Sequence, residues 1–161
     1  MNPDITLYFI RHGQTEWNRT RRIQGQIDTP LNDLGREQAA RNGRTLAALG
    51  VNLAQLPFVS SPLARCRETM EIVRERAGLP RDGYRTDDRL KEIHFGHWQG
   101  IHWPEVADLD PDGHTAREVD RYGWRPRDGE SYRDLTERTA AWLGELETDT
   151  VCVAHGGVSR A

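Results

Sequence analysis

The sequence predicts an α/β three-layer sandwich, in which a mainly parallel sheet is flanked by helices on both faces. Short apolar runs alternate with helical patterns along the 161 residues, and this alternation is typical of parallel sheets. Two of the apolar runs lead directly into a histidine, His12 and His155. Ligands gather beyond the carboxyl ends of parallel strands, so the same pattern predicts a site at that edge of the sheet.

The first elements in order are a strand and a helix. Residues 5–10 are almost continuously apolar, which predicts a strand covered on both faces. Residues 33–49 show helical spacing, with Asn32 or Asp33 as the cap and Gly50 as the end.

A second strand and helix follow, and then a short third strand. Residues 56–60 predict the strand, and Ser61 and Pro62 predict the cap and first turn of the helix. Gly78 ends that helix, and residues 84–86 predict the third strand.

The remaining chain divides into an irregular part and a regular part. Residues 94–129 are rich in Gly, Pro, Asp, His and Trp, which predicts a long excursion over the surface with short helices starting near Pro104 and Thr115. Residues 131–147 predict a helix and residues 150–154 a buried strand.

Length and composition limit the class of protein. The 161 residues, of 18.4 kDa, predict a single domain spanning 1–161. No apolar run approaches the roughly 20 residues that span a bilayer, and residues 1–4 carry no export signal, so we expect a cytoplasmic protein without membrane partners. The net charge of -3 argues against nucleic acid. Cys66 and Cys152 predict buried thiols and no disulfide.

Four charged side chains stand where strands end or where a helix begins just after a strand. They are Arg11, His12, Arg65 and His155. A phosphate monoester is a dianion, and the planar fork of arginine binds two of its oxygens at once. The placement therefore predicts a pocket for a phosphorylated ligand.

The octet Arg11-His12-Gly13-Gln14-Thr15-Glu16-Trp17-Asn18 resembles the signature of the histidine phosphatase superfamily, the phosphoglycerate mutase-like proteins. Further segments resemble the family in the family's order: Gln24-Gly25, Thr29-Pro30-Leu31, Ser61-Pro62-Leu63-Ala64-Arg65, Leu90-Lys91-Glu92 with Phe95-Gly96, Gly129-Glu130-Ser131 and His155-Gly156. The resemblance extends over nearly the whole chain and implies the family's phosphoglycerate mutase-like fold.

The resemblance implies catalysis through a phosphohistidine. His12 would attack phosphorus as a neutral imidazole, with its other nitrogen donating to backbone near Gly13. Arg11, Arg65 and a cationic His155 would stabilise the transferring group, and Glu92 would act as proton donor and acceptor. Residues implied to bind phosphate or substrate are Arg11, Asn18, Gln24, Gly25, Arg65, Arg67 and Gly156.

A metal site is the first alternative for the excursion. His94, His97 and His102 lie near Glu92, but their spacing matches no familiar ligand pattern, so we expect neither metal nor cofactor. Trp98, Trp103, Tyr122 and Trp124 predict either packing beneath a loop or an aromatic lid over the substrate.

Three functions stay open at this point. The first is a phosphatase acting on a small phosphorylated metabolite, the second a phosphoglycerate mutase, and the third an inactive or truncated domain that binds phospho-ligands. Family members usually continue past the His-Gly segment through a helix and a strand, whereas this chain ends at Ala161, so we expect those final elements to be missing. Selectivity is expected to come from residues 94–129, and a homodimer stays open.

Overall fold

The computed structural model describes residues 4–161; residues 1–3, on which the expectation about an export signal partly depends, lie outside the described residues. Its sheet has the order β1-β4-β2-β3, and every pairing is parallel. The strands are β1 (Leu7–Arg11), β2 (Phe58–Ser60), β3 (Arg85–Thr86) and β4 (Thr150–Ala154). The predicted parallel sheet is thereby confirmed.

Helices cover both faces of this sheet. They are α1 (Glu16–Arg19), α2 (Asp33–Ala47), α3 (Ala64–Arg76), α4 (Val106–Leu109), α5 (Pro111–Val119) and α6 (Tyr132–Gly144), with 3₁₀ turns at Leu53–Gln55, Asp88–Leu90, Gly96–Trp98, Trp103–Glu105 and Val158–Arg160. Helices α2 and α3 share one apolar cluster with the sheet, and α6 shares another on the opposite face. The three layers match the predicted sandwich.

Strand β4 shows how the two clusters are built. Val151 and Val153 belong to the cluster of α2 and α3, whereas Cys152 and Ala154 belong to that of α6. Successive side chains of a strand point to opposite faces, so a strand that is buried at every position supplies both cores. Cys66 and Cys152 are buried free thiols, as predicted.

The prediction that the first strand is covered on both faces is confirmed. Leu7 and Phe9 pack against the cluster of α6, and Tyr8 and Ile10 pack against the cluster of α2 and α3. Within the described chain, β1 pairs only with β4 and so lies at an edge of the sheet, and four of its five residues are half-buried. Strand β4 has a partner on each side, and its five residues are all buried.

Two predicted helix starts are wrong. Helix α3 begins at Ala64, after an extended Leu63 that gives no side-chain cap, because the Ala64 N–H donates to the Asp28 carboxylate instead, at 2.8 and 3.0 Å. Helix α5 begins at Pro111 and not near Thr115, with the side chain of Asp110 as its cap. The cap predicted at Asn32 is confirmed.

The excursion over residues 94–129 folds back on the chain through an apolar cluster of its own. Trp98, Val106 and Ile23 are buried together, and Trp98 packs against Trp124 with ring centroids 4.5 Å apart. Among residues 4–161, no helix is long and apolar enough to cross a membrane.

Candidate active site

His12 lies directly after β1 and is 7% exposed. Its backbone N–H donates to the carbonyl of Ala154 at 3.0 Å, so the histidine continues the pairing of β1 with β4. Its Nδ1 lies 2.7 Å from the carbonyl oxygen of Gly13. A carbonyl can only accept, so Nδ1 carries the hydrogen and Nε2 keeps its lone pair.

Close backbone contact fixes the turn after His12. An added Cβ at Gly13 would lie 2.2 Å from the carbonyl oxygen of Gly35 in α2, so only glycine fits. The Gly13 N–H donates to Thr69 Oγ1 at 3.1 Å, and this hydroxyl donates to the carbonyl of Arg65 at 2.7 Å. The turn that carries His12 is therefore held by both α2 and α3.

His155 and Arg65 lie beside His12, on the end of the neighbouring strand and on α3. Arg65 lines the cleft, whereas His155 is 0% exposed and does not. The ring centroids of His12 and His155 are 5.1 Å apart in an edge-to-face arrangement, close enough for both rings to contact one tetrahedral anion. Arg65 is 1% exposed, and its terminal nitrogens donate to the carbonyls of Gly25 at 2.7 Å and Ile27 at 2.9 Å. Among the described residues, its buried Nε has no hydrogen-bond partner.

Burial and neighbouring cations keep both imidazoles neutral. Burial, then the charge of Arg65, lowers the pKa of His12 to about 3, against a smaller opposing effect of the Gly13 hydrogen bond. Burial, Arg65 and His12 together lower the pKa of His155 well below its ordinary value. The predicted cationic His155 belongs to the phosphate-bound site, where a bound dianion acts in the opposite direction and raises the pKa, so it stays a prediction.

Ser61 has a role that the sequence did not reveal. It does not cap a helix; its Oγ lies 2.8 Å from Nε2 of His155. Cys66 Sγ lies 3.3 Å from the same nitrogen. These two buried side chains position the ring of His155.

Glu92 lines the cleft opposite His12, just after the Asp88–Leu90 turn. One carboxylate oxygen accepts from the Ile93 N–H at 2.9 Å and the other from the Gly157 N–H at 3.1 Å. An added Cβ at Gly157 would lie 2.0 Å from Glu92 Oε1, so the carboxylate packs directly on backbone that follows His155.

A half-buried ion pair supports the backbone of Glu92. Arg138 on α6 donates to Glu130 at 3.0 Å and to the carbonyls of Glu92 and Arg89 at 3.1 and 2.5 Å. Glu130 also accepts from the His94 N–H at 2.9 Å. The sequence singled out Glu130 within a motif but gave no signal for Arg138.

Asn18, Gln24 and Gly25 line the same cleft. The side-chain oxygens of Asn18 and Gln24 both accept from Thr15, at 3.0 Å from its N–H and 2.9 Å from its hydroxyl. The amide NH₂ groups are then the donors that these side chains offer to a ligand. Gly25 has a positive φ of 52° and turns the chain so that its carbonyl meets Arg65.

Arg67 does not lie in this cleft, which corrects its predicted role. It lines two depressions on another side of α3, where it faces Tyr84 and Glu71. Residues two apart on a helix point in different directions, because each residue turns by about 100°, and Arg65 already points inward. Gly156 packs against Arg11, with 3.3 Å between its added Cβ and the guanidinium carbon.

The cleft has a volume of about 360 Å³ and takes in further side chains that the sequence did not single out for binding. They are Trp17, Arg21, Arg22, Ile23, Phe95, Trp103, Arg117, Tyr132 and Arg160. They come from four parts of the chain: residues 17–23, the excursion, α6 and the last turn.

The histidines considered as metal ligands have separate partners. His94 accepts from the Gly96 N–H, His97 pairs with Asp110 at 2.8 Å, and His102 bonds Arg22 at 2.8 Å. Within residues 4–161, no group of three or more His, Cys, Asp or Glu side chains is placed to hold a metal ion.

Comparison with known proteins gives one family. The family model described as "Histidine phosphatase superfamily (branch 1)" matches residues 7–161. The chain is 39% identical to the glucosyl-3-phosphoglycerate phosphatase of Mycolicibacterium vanbaalenii, over 96% of this chain and 71% of that protein. It is 32% identical to the metal-independent phosphoserine phosphatase of Arabidopsis thaliana, over 96% of this chain and 66% of that protein.

A solved structure agrees with these relatives. The native structure of mycobacterial glucosyl-3-phosphoglycerate phosphatase superposes with a TM-score of 0.78 at 36% identity, over 94% of this chain and 74% of that one.

Proposed function

This chain belongs to the histidine phosphatase superfamily, and we propose that it hydrolyses small phosphomonoesters through a phosphohistidine on His12. The observation that carries the proposal is the fixed tautomer of His12. This residue lines the cleft together with Arg65 and keeps a lone pair on Nε2, and the ring of His155 packs against it. Only a neutral imidazole with a free nitrogen can attack phosphorus.

In the first step, the phosphate oxygens bind to Arg11, Arg65 and His155. The unpartnered Nε of Arg65 is a buried donor that a phosphate oxygen satisfies. His12 Nε2 then forms a bond to phosphorus while the bond from phosphorus to the ester oxygen breaks. The charge stays on the three equatorial oxygens, so fixed cationic donors stabilise the transition state.

Glu92 moves the proton in both steps. Protonated at the start, it gives its proton to the leaving alcohol oxygen. In the second step it takes a proton from the attacking water, whose oxygen bonds phosphorus as the N–P bond breaks. The enzyme returns to its starting state with Glu92 protonated.

The charges of the cleft also bear on whether catalysis requires a metal ion. We propose that turnover needs no metal, because the cationic donors of the cleft supply the positive charge that a metal would provide. The relative named as a metal-independent phosphoserine phosphatase supports this. We further propose that the protein acts in the cytoplasm on a phosphorylated sugar or acid. This is the type of substrate that the names of its relatives indicate.

Hydrolysis of p-nitrophenyl phosphate tests the function. Wild-type protein is expected to release phosphate in the presence of EDTA and to yield an acid-labile phosphoenzyme after rapid quenching. His12→Ala is expected to abolish both. His114→Asn, a histidine on α5 that does not line the cleft, is the matched control and should keep both.

Two results would contradict this function. Full activity of folded His12→Ala would exclude His12 as the nucleophile. If wild-type protein hydrolysed none of a panel of phosphomonoesters, a domain that only binds phospho-ligands would be favoured. Incubation with 3-phosphoglycerate separates the mutase, which would isomerise this substrate faster than it releases phosphate.

A further inference from the structure

One arginine beside the active site binds the main chain and not the cleft. Arg138, in the middle of α6, is half-buried and is not among the residues that line the cleft. Its guanidinium makes four hydrogen bonds within the described chain, and each goes either to Glu130 or to a main-chain carbonyl. Neither side chain takes part in the proposed phosphoryl transfer, so their pairing beside Glu92 needs another explanation.

The carboxylate of Glu130 fixes the direction of this guanidinium. Arg138 Nε donates to one oxygen of Glu130 at 3.1 Å, and Nη2 donates to the other at 3.0 Å. A two-point contact between a planar guanidinium and a carboxylate is geometrically specific. Both side chains are half-buried, which shields the pair from part of the solvent. The remaining N–H groups of Arg138 are therefore held in one direction.

These N–H groups hold the segment that carries Glu92. Nη1 of Arg138 donates to the carbonyl of Arg89 at 2.5 Å, and Nη2 donates to the carbonyl of Glu92 at 3.1 Å. The side-chain NH₂ of Gln26 donates to the same carbonyl of Glu92 at 3.0 Å. Residues 91–95 form no helix or strand, so side chains supply the partners that a regular ladder would give.

Neighbouring residues of the segment are fixed as well. Glu130 and His94 exchange two hydrogen bonds, from the His94 N–H to the carboxylate at 2.9 Å and from the Glu130 N–H to the carbonyl of His94 at 2.8 Å. Leu90 and Ile93 are buried in the apolar cluster of α6. The main chain on both sides of Glu92 is therefore docked on α6 and on the residue that precedes it by two positions, Glu130.

The carboxylate of Glu92 is held separately from its carbonyl. Its oxygens accept from the N–H groups of Ile93 at 2.9 Å and Gly157 at 3.1 Å. Both bonds depend on the place of the Glu92 main chain, because the side-chain torsions of glutamate allow several positions of the carboxylate. A general acid must lie within hydrogen-bond distance of the oxygen that it protonates. A displacement of about 1 Å can lower the rate by about a hundredfold.

We propose that Arg138 is a positioning residue for catalysis: it aligns Glu92 with the leaving oxygen by holding its main chain, and Glu130 orients Arg138 for this task. Arg138 itself touches neither the substrate nor the transferring phosphoryl group. The inference rests on the proposed function, in which Glu92 gives its proton to the ester oxygen and later takes one from water.

Phosphomonoesters with increasingly basic leaving groups test this role. The substrates are p-nitrophenyl phosphate, phenyl phosphate and propyl phosphate, and the measured quantity is kcat/KM, which reports the steps up to formation of the phosphohistidine. Arg138→Lys keeps the positive charge beside Glu130 but loses the planar fork. For propyl phosphate we expect kcat/KM to fall by about tenfold or more. For p-nitrophenyl phosphate it should fall by less than about twofold, because that leaving group departs without a proton.

Chemical rescue separates positioning from general damage to α6. Arg138→Ala removes the whole fork and leaves space for a guanidinium ion. Millimolar guanidinium chloride is expected to restore kcat/KM for propyl phosphate several-fold in this variant, whereas the same concentration of sodium chloride is not. Circular dichroism checks that both variants fold, and Arg138→Lys alone decides the question if Arg138→Ala does not.

Glu130→Gln tests the second part of the proposal. Glutamine offers one acceptor oxygen in place of two, so the fork of Arg138 loses one of its two fixed contacts. This variant should show the same dependence of kcat/KM on the leaving group as Arg138→Lys. Wild-type values for all three substrates in Glu130→Gln would contradict the orienting role of Glu130.

Arg133→Ala is the matched control on the same helix. Arg133 is exposed, and its guanidinium carbon lies 5.8 Å from the ring centroid of Tyr122. Loss of this side chain removes an arginine from α6 without removing a donor to Glu92. It should keep the wild-type kcat/KM for all three substrates.

The possible failures are distinguishable. If wild-type protein releases no phosphate, the proposed function is overturned and this inference with it. If Glu92→Gln loses rate with increasing basicity of the leaving group while folded Arg138→Lys loses it equally on all substrates or not at all, only this inference is overturned. A leaving-group dependence in Arg133→Ala equal to that in Arg138→Lys would overturn it in the same way.

Discussion

The two walls of the cleft are built in different ways. On the inner side, His12, Arg65 and His155 are 7%, 1% and 0% exposed and follow directly from strands or from the first turn of a helix. On the outer side, Trp103 is 40% exposed and Arg117 stands on a short helix of the excursion. The buried wall fixes atoms that must be aligned within tenths of an ångström, whereas the exposed wall supplies charge on supports that tolerate variation.

The inner and outer walls of the cleft also differ in their electrostatic environment. Burial near arginines keeps the inner imidazoles neutral by lowering their pKa. The outer guanidinium groups of Arg22 and Arg117 are half-buried and stack on the indoles of Trp17 and Trp103. This contrast predicts that substitutions on the inner wall change turnover, while those on the outer wall change the choice of substrate.

The largest effect is expected for Glu92→Gln with alkyl phosphates, whose leaving oxygen needs a proton. We expect turnover to fall by about a thousandfold. The loss should be far smaller with p-nitrophenyl phosphate, because its leaving group is stable as an anion. Steady-state rates on both substrates measure the contrast, and Glu105→Gln, on an exposed turn, is the control. Equal losses on both substrates would contradict proton donation by Glu92.

A smaller but still large effect is expected for Arg65→Met. Removing one fixed donor to the transferring group lowers kcat by about a hundredfold or more. Arg67→Met on the same helix should stay close to wild type, since that side chain faces away from the cleft. Circular dichroism checks that both variants fold, and a comparable loss in Arg67→Met would mean that helix damage, not phosphate binding, is being measured.

The buried neutral state of His12 predicts a dependence of stability on pH. Its pKa lies near 3 in the folded protein, below its ordinary value of 6.5, so the unfolded chain binds a proton that the folded chain excludes. Stability is therefore lost as pH falls from about 6.5 to about 3. In His12→Gln this contribution is absent, and the fall in Tm over that window should be smaller by roughly 10 °C. An equal fall in Tm with pH in the two proteins would contradict the lowered pKa of His12.

The smallest effect is expected for Asp110→Ala, which acts on the outer wall from behind. Asp110 caps α5 through the Gly113 N–H at 3.0 Å and accepts from Trp98 Nε1 at 2.8 Å. Losing a cap costs about 1 kcal/mol, so Tm should fall by a few degrees. Turnover of p-nitrophenyl phosphate should stay within about twofold, because Asp110 does not line the cleft. A large loss of turnover would mean that the two walls are not separable.

Strand ends were the part of the molecule that the sequence predicted best. The run at Thr150–Ala154 is apolar at four of its five positions because the strand is central and buried, so its bounds and the place of His155 followed from the pattern. The cap of α2 at Asn32 followed from a local hydrogen bond to Gly35, 2.9 Å long, that needs no tertiary information.

Features that depend on tertiary neighbours were missed or misassigned. Ser61 has the letters of a helix cap, yet its hydroxyl contacts His155, which is 94 residues away. Arg67 is two residues from Arg65 in the sequence and was predicted to help bind phosphate, but its direction on α3 removes it from the cleft. Arg138 sits among many arginines, and only the fold shows that it meets Glu130 and the backbone of Glu92.

Gly35 controls the alignment of the nucleophile from outside the cleft. Its backbone touches the Gly13 turn so closely that a methyl group at either position needs a shift of the main chain. Because main-chain atoms have no alternative rotamers, such a shift passes directly to the imidazole. The docking of α2 is thus a means by which distant substitutions along this helix alter the reach of Nε2 towards phosphorus, without changing any side chain that meets the ligand.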